Sequence, residues 1–350
     1  MIKAILTISM LYLVMTTSYA STKLSQTDVW YLSFLPENYD VVVGVMDTKI
    51  NKDHPLLTEF IYRDKNNNNS DNKGVDKDGK IHGTSVASII ASSQDETFNV
   101  HGISRKPGKI KLLPIKMVKE MTSIDDDLHQ YAMDYAIKMD VDIINASFAD
   151  YSISKELGGL YQQAFDQGIV VVASAGNSAV KESAYPCVFE ESICVGGMLN
   201  KDRLWEHSSS GNTDFVAYVD VLLIDENEIG FKGKQGTSYS AAIISGAIAK
   251  IMSYTGDFSK EYSYNLLKKY AVKIDGAGDR DGYGYIDFKA LVEEFLIFED
   301  KFITHPDNPD LAYHFVVVKE AVSPHKVVDF VLKNIIRGDK TYPVNKLVGF

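Results

Sequence analysis

Cysteine is nearly absent: the 350-residue chain has two, Cys187 and Cys194, both in AYPCVFEESICVGG. So few thiols exclude a disulfide-dense scaffold. Neither has neighbours that would make it a zinc ligand or a nucleophile. The pair either bridges a very short loop, as a disulfide, or stays as two free thiols. Excess positive charge is also missing. The net charge is -11 and the pI near 5.2. Nucleic acid is thereby disfavoured as a partner, since its binders carry a basic patch. Past the first residues no apolar run approaches the ~20 residues that cross a bilayer. No internal repeat occurs, and the asparagine run at 66 to 69 is the one low-complexity patch. No Gly-x-Gly-x-x-Gly follows a strand, which argues against a nucleotide-binding sheet. No Gly-x-Ser-x-Gly elbow occurs either, and that counts against an α/β-hydrolase esterase or lipase.

What is present is ordinary globular composition, 45% hydrophobic and 24% charged, enough for one large or two ordinary domains. The chain opens MIKAILTISMLYLVMTTSYA. Lys3 is a positive n-region, Ala4 to Met15 an apolar stretch, and Ser18-Tyr19-Ala20 a small-residue cleavage site. This pattern predicts a signal peptide cleaved after Ala20. The mature protein is then secreted or periplasmic, without stable membrane insertion.

Residues 40–46, DVVVGVM, read as a strand buried on both faces. Further strands are expected at 111–118, 141–147, 169–174 and 192–196. Helices are expected at 82–91, 123–138 and 157–167. The second has Ser123 and then Asp125, Asp126 and Asp127 in its first turn, a cap plus dipole-matching acids. Gly168 stops the third. Strands alternating with helices predict an α/β fold, a mostly parallel central sheet with helices on both faces. Residues 63–80 are a polar surface loop. The stretch 296–350 differs in character. It has alternating pieces such as 313–318 and an expected helix at 325–335. Its His305, His314 and His325 have no metal-site spacing.

Three residues fall where strands end or helices begin, the edge at which open parallel sheets place their functional groups. Asp47 ends the first strand, His82 opens HGTSVASIIA, and Ser238 follows Gly236-Thr237 at the head of a small, apolar helix. Singly, each has a plainer reading: a strand-end turn former, a structural histidine, a helix cap. Together they form a chemical set. A serine hydroxyl is a poor nucleophile until a base takes its proton. Histidine does this near neutral pH, and a buried carboxylate fixes its tautomer. Asn177, in SAGNS after the strand IVVVAS, is either a turn residue or an amide donor to a developing oxyanion.

These segments resemble the subtilisin-like serine proteases, or subtilases. The order Asp, His, Ser is that family's order. VVVGVMDT around Asp47 looks like its Asp segment. HGTSVASIIA is similar to HGTHVAGIIA, and GTSYSAAIISG to GTSMASPHVAG. Asn177 in SAGNS looks like the family's oxyanion-hole asparagine. NASFAD (145–150) resembles the substrate-binding strand, and GDRDGYGYIDFKALV (278–292) the segment closing the catalytic domain.

The resemblance spans roughly 37–295. It implies a three-layer, subtilisin-like peptidase domain there, after a signal peptide (1–20) and a short segment (21–36), with a C-terminal extension (296–350). It implies a monomeric serine endopeptidase acting on polypeptides with no required cofactor. Catalysis falls to Asp47, His82, Ser238 and Asn177. Ser147, Phe148 and Ala149 would form one groove wall and Ser174, Ala175 and Gly176 the other, an extended peptide adding as a strand between them. Structural calcium, common in the family, has candidate sites in the 64–78 loop and in DGAGDRDG (275–282). Lys49 replaces a glycine of the family pattern, Ser85 its second histidine, and residues 239–242 lack its proline. Those departures keep open a catalytically inactive, peptide-binding relative. No long propeptide fits before residue 37, so the chain either folds unaided or uses its C-terminal extension.

Overall fold

The computed structural model describes residues 27–63, 82–95, 100–117, 126–151, 157–224, 230–305, 308–321, 329–337 and 340–349, with side chains up to residue 297. The expected signal peptide and the 64–78 loop therefore lie outside the described residues.

The first described element is a 3₁₀ helix, Asp28–Phe34, capped by the Thr27 side chain. Its Trp30, Tyr31 and Phe34 rings pack on one another in the main core. This part of the segment at 21–36 is thus built into the domain and is not a detached leader. Next come β1 (Val41–Asp47), α1 (His82–Ile90), β2 (Ile110–Lys116), α2 (Asp126–Lys138), β3 (Ile143–Ala146), α3 (Gly158–Asp166), β4 (Val170–Ser174) and β5 (Ser192–Asn200). Short β6 (Arg203–Leu204), β7 (Phe215–Tyr218) and the hairpin β8 (Asp220–Ile224) to β9 (Phe231–Gln235) lead to α4 (Thr237–Thr255). Then follow α5 (Lys260–Lys269), β10 (Ala271–Val272), β11 (Tyr285–Ile286) and α6 (Phe288–Glu293).

The central sheet runs β10-β11-β7-β5-β4-β3-β1-β2, with β6 beside β5. Pairings are parallel from β2 through β11, and only β6 and β10 run antiparallel. Alternation of side chains along each strand divides the interior in two. Ile143, Val170 and Val172 meet α1, α4 and the 3₁₀ helix. Ile144 and Val171 meet Ala132, Met133 and Ala136 of α2 and Tyr161 and Ala164 of α3. This is the expected three-layer α/β arrangement.

Helix α4 is buried from Thr237 to Tyr254. An internal lysine, Lys250, survives there because Glu37 lies 3.1 Å away. Burial still lowers the Lys250 pKa. Gly256, at φ +75°, ends the helix in the left-handed conformation that glycine adopts without a Cβ penalty.

Beyond α6, β12 (Leu296–His305), β13 (Asn308–Ala321), β14 (Asp329–Arg337) and β15 (Lys340–Gly349) form an antiparallel meander. This corrects the helix expected at 325–335 over residues 329–335; residues 325–328 lie outside the described residues. Phe330, Val331 and Leu332 register against Val317, Val316 and Phe315, and Ile335 and Ile336 against Tyr313 and Ala312. β-Branched and aromatic residues with such partners gain more from a pleated ladder than from helical spacing, so non-local pairing overrides the local pattern.

Candidate active site

Asp47 is the last residue of β1, with its side chain 3% exposed. Oδ1 accepts from the Thr48 N–H at 2.6 Å. His82 Nδ1 lies 2.9 Å from Oδ1 and 3.0 Å from Oδ2. A carboxylate only accepts, so Nδ1 carries a proton toward Asp47. The two elements are locked by a second bond, from the Gly83 N–H to Thr48 Oγ1 at 2.9 Å. A Cβ on Gly83 would sit 2.8 Å from the Thr48 carbonyl oxygen and 3.2 Å from Asp47 Cβ. Only glycine lets α1 seat so closely on the end of β1. Lys49 points to solvent between buried Thr48 and Ile50.

Ser238 is the second residue of α4, not its cap. The cap is Gly236, which makes no side-chain capping bond. The Ser238 hydroxyl donates to the Ser147 carbonyl at 3.1 Å, and the Ser147 hydroxyl donates to the Ser238 carbonyl at 2.8 Å. Behind them runs a buried polar chain: Asn145 Nδ2 donates to Ser147 Oγ at 2.9 Å, and Ser245 Oγ to Asn145 Oδ1 at 2.9 Å. The Tyr239 ring packs 5.7 Å from the His82 ring, joining the helix of Ser238 to the residue opening α1.

Asn177 is exposed, yet its orientation is fixed. Its Oδ1 accepts from the Thr237 N–H at 3.0 Å and the Thr237 hydroxyl at 2.8 Å. The amide nitrogen is thereby presented as a donor, 3.6 Å from where a Gly236 Cβ would lie. Thr237 Oγ1 also accepts from the Gly176 N–H at 3.2 Å. The segments 147–149 and 174–176 continue β3 and β4, which are parallel neighbours. Ser174 Oγ donates to the Phe148 carbonyl at 3.0 Å. Phe148 stands edge-on to buried His129, 5.3 Å away. His129 Nε2 faces the Tyr161 hydroxyl at 2.8 Å. Burial holds its pKa down, at about 4.

The structure therefore gathers all four predicted catalytic residues and both predicted walls around the carboxyl ends of β1, β3 and β4. Cys187 and Cys194 form a disulfide behind the second wall, packed with Ala173 and Ala175. Ser85, at the position of the missing histidine, donates to the Ile224 carbonyl, and Ser240 to the Ala217 and Tyr218 carbonyls. Those departures are absorbed as hydrogen bonds to backbone. In the 275–282 loop Asp281 spends its two carboxylate oxygens on Lys273 and the Ile274 N–H. Among the described residues no group of three or more His, Cys, Asp and Glu side chains is placed to hold a metal ion. Residues that sequence reasoning missed are Thr48, Asn145, Thr237, Tyr239 and Ser245. Thr237 carried a signal, its place in Gly-Thr-Ser. The others lie in the strings quoted above, but nothing in those strings marked their individual roles.

A buried carboxylate paired to an imidazole, with a serine at a nearby helix start, defines the serine hydrolases that work by acyl transfer. Comparison with known proteins narrows this. The sequence profile described as "Subtilase family" matches residues 38–285. The intracellular serine protease of Paenibacillus polymyxa is 30% identical over 273 residues, covering 74% of this chain and 82% of that protein. The major intracellular serine protease of Bacillus subtilis (strain 168) is 31% identical over 261 residues, covering 71% and 81%. Among solved structures, the prenylagaramide maturation protease PagA superposes with a TM-score of 0.63 at 19% identity, over 76% of this chain and 96% of that one. The last likeness concerns the fold alone. The chain belongs to the subtilase family, and it is a subtilisin-like serine endopeptidase.

Proposed function

We propose that the enzyme cleaves polypeptides through an Asp47–His82–Ser238 triad with Asn177 in the oxyanion hole. Ser238 Oγ attacks the scissile carbonyl carbon and its proton passes to His82 Nε2. This requires the hydroxyl to leave the Ser147 carbonyl by rotating about χ1, a change between staggered wells. The oxyanion takes hydrogen bonds from Asn177 Nδ2 and the Ser238 backbone N–H. On collapse the C–N bond breaks and the His82 proton goes to the leaving amine. Water, deprotonated by His82, then attacks the acyl-enzyme and releases the acid. Asp47 keeps Nδ1 protonated and steadies the imidazolium. The peptide lies extended between 147–149 and 174–176. No cofactor takes part in these steps, and the catalytic unit is a monomer.

The observation that carries this reading is the 2.9 Å pairing of His82 Nδ1 with the buried Asp47 carboxylate. A fluorophosphonate probe tests it. Labelling that disappears in Ser238→Ala and falls in His82→Ala is expected. A folded protein that is never labelled would instead be the inactive, peptide-binding relative.

We further propose that the protein works outside the cytoplasm, although the two relatives named above are described as intracellular. The apolar opening with its Ser-Tyr-Ala site and the Cys187–Cys194 disulfide support export, since disulfides persist in oxidising compartments. Among the described residues no helix is long and apolar enough to cross a membrane. N-terminal sequencing of the exported protein should begin at Ser21. An uncleaved cytoplasmic chain would overturn this assignment.

A further inference from the structure

The two proposed groove walls stand close together. Gly176 has φ +99°, and a Cβ built on it points across the groove. That Cβ would lie 3.2 Å from Ala149 Cβ, 3.4 Å from Ser209 Oγ and 3.7 Å from the Tyr151 hydroxyl. Gly176 Cα is one bond further back, so it is less than about 5 Å from the Ala149 methyl. A substrate side chain sandwiched between two walls needs a carbon–carbon contact on each side. At ~3.5–4.0 Å per contact, that is roughly 7 Å of clearance. The slot does not have it.

Two other contacts hold it shut. At its base Ser174 Oγ donates to the Phe148 carbonyl at 3.0 Å, linking the walls directly. At its outer side the Tyr151 hydroxyl stands 3.5 Å from Ser209 Oγ. Ser209 is itself fixed to the second wall, its N–H donating to the Gly176 carbonyl at 2.9 Å. The backbone leading to Tyr151 is anchored too. Asp150 and Tyr185 exchange N–H···O bonds of 3.1 and 2.8 Å. The behaviour of this slot is thus set by a methyl and a phenol on one wall meeting a side-chain-free residue on the other.

We propose that Ala149 and Tyr151 are specificity-determining residues that close the slot against Gly176. The enzyme then accepts only small residues, glycine, alanine or serine, immediately before the scissile bond. This rests on the reading that 147–149 and 174–176 bind substrate beside Ser238. The physical consequence is one-sided. A small side chain stops short of the constriction. A leucine or phenylalanine must force the walls apart, breaking the Ser174–Phe148 bond and lifting the scissile carbonyl away from the oxyanion donors. The penalty therefore falls on the transition state as well as on binding.

The test uses the full mature chain and peptides identical except for glycine, alanine, leucine or phenylalanine at that position. Each preparation is titrated with a fluorophosphonate so that rates refer to active sites. The alanine peptide should exceed the leucine and phenylalanine peptides in kcat/KM by about 100-fold, the scale on which a pocket rejects excess methylenes. Ala149→Gly combined with Tyr151→Ala should raise the phenylalanine-to-alanine ratio by roughly tenfold or more. Tyr151→Ala alone changes an exposed residue and should move the ratio the same way by less. Titratable enzyme with leucine or phenylalanine rates near the alanine rate would overturn the closed slot while leaving the triad standing. So would a ratio unmoved in both variants. Failure to titrate at all would overturn the nucleophile and the slot together.

Discussion

Ser238 has chemistry only through residues that are distant in the chain. Its hydroxyl and carbonyl bond to Ser147, 91 positions away, and Asn177 is aimed by Thr237, 60 positions away. Asp47→Asn keeps the shape but allows the wrong imidazole tautomer, and kcat should fall by about 10⁴. Steady-state kinetics on folded protein would check this, and a loss under tenfold would remove Asp47 from the proposed triad. Asn177→Ala should cost about 10²–10³ in kcat with KM little changed, as expected for a donor used in the transition state. An effect confined to KM would refute that role. The four proposed catalytic residues stood out in the sequence because each sits in a short string with a glycine and a helix or strand boundary. Asn145 and Ser245 were not. They join across 100 positions inside the core, and nothing local marks a buried amide that has found its partner.

At the scale of elements, the site depends on how closely α1 approaches β1. Gly83→Ala would place its methyl 2.8 Å from the Thr48 carbonyl. The start of α1 must then move out and take His82 from Asp47. Since a displacement of ~1 Å can cost 10²-fold, kcat/KM should fall by about that factor while far-UV circular dichroism is kept. A fall matched by lost helicity would make the effect one of folding instead. The disulfide sits one layer behind the groove and closes a loop of sequence separation 7. The double change Cys187→Ser, Cys194→Ser should lower stability by about 2 kcal/mol, the small entropic value of a short loop, read by urea unfolding. Whereas the short strands at 203–235 and the helix Lys260–Lys269 drew no expectation, the helices and strands expected between residues 40 and 196 were legible to within a few residues, because buried parallel strands read as continuous apolar runs. The 329–337 strand was not. Its apolar spacing suits a helix as well, and only the neighbouring strands decide between the two.

For the whole molecule, two buried histidines should weaken the fold as the pH falls. Burial holds His101 and His129 at about 4, against an ordinary 6.5. The sign follows from linkage. Between pH 6.5 and 4 the unfolded chain takes up protons that the native one refuses, so stability is whole above 6.5 and lost as pH falls through that window. Each group contributes on the order of 3 kcal/mol over the full window. Asp28, Asp142 and Asp214, raised by burial above their ordinary 3.8, act in the opposite sense from that value upward and offset part of the loss. Urea midpoints should therefore drop between about pH 7 and pH 4.5, and a flat profile would contradict the burial of both rings.

The sequence by itself determined the family, the α/β class of the fold, the candidate catalytic residues and the two cysteines. Each of these is written in local patterns: apolar runs, glycine-flanked polar residues, boundary signals. Only the tertiary structure decided that Ser238 is not a cap, that Asn177 is aimed by Thr237, that 329–337 is a strand, and that Ala149 meets Gly176. Those facts are distances between segments far apart in the chain. They are fixed by the packing of strands and helices against each other, which no single stretch of sequence contains.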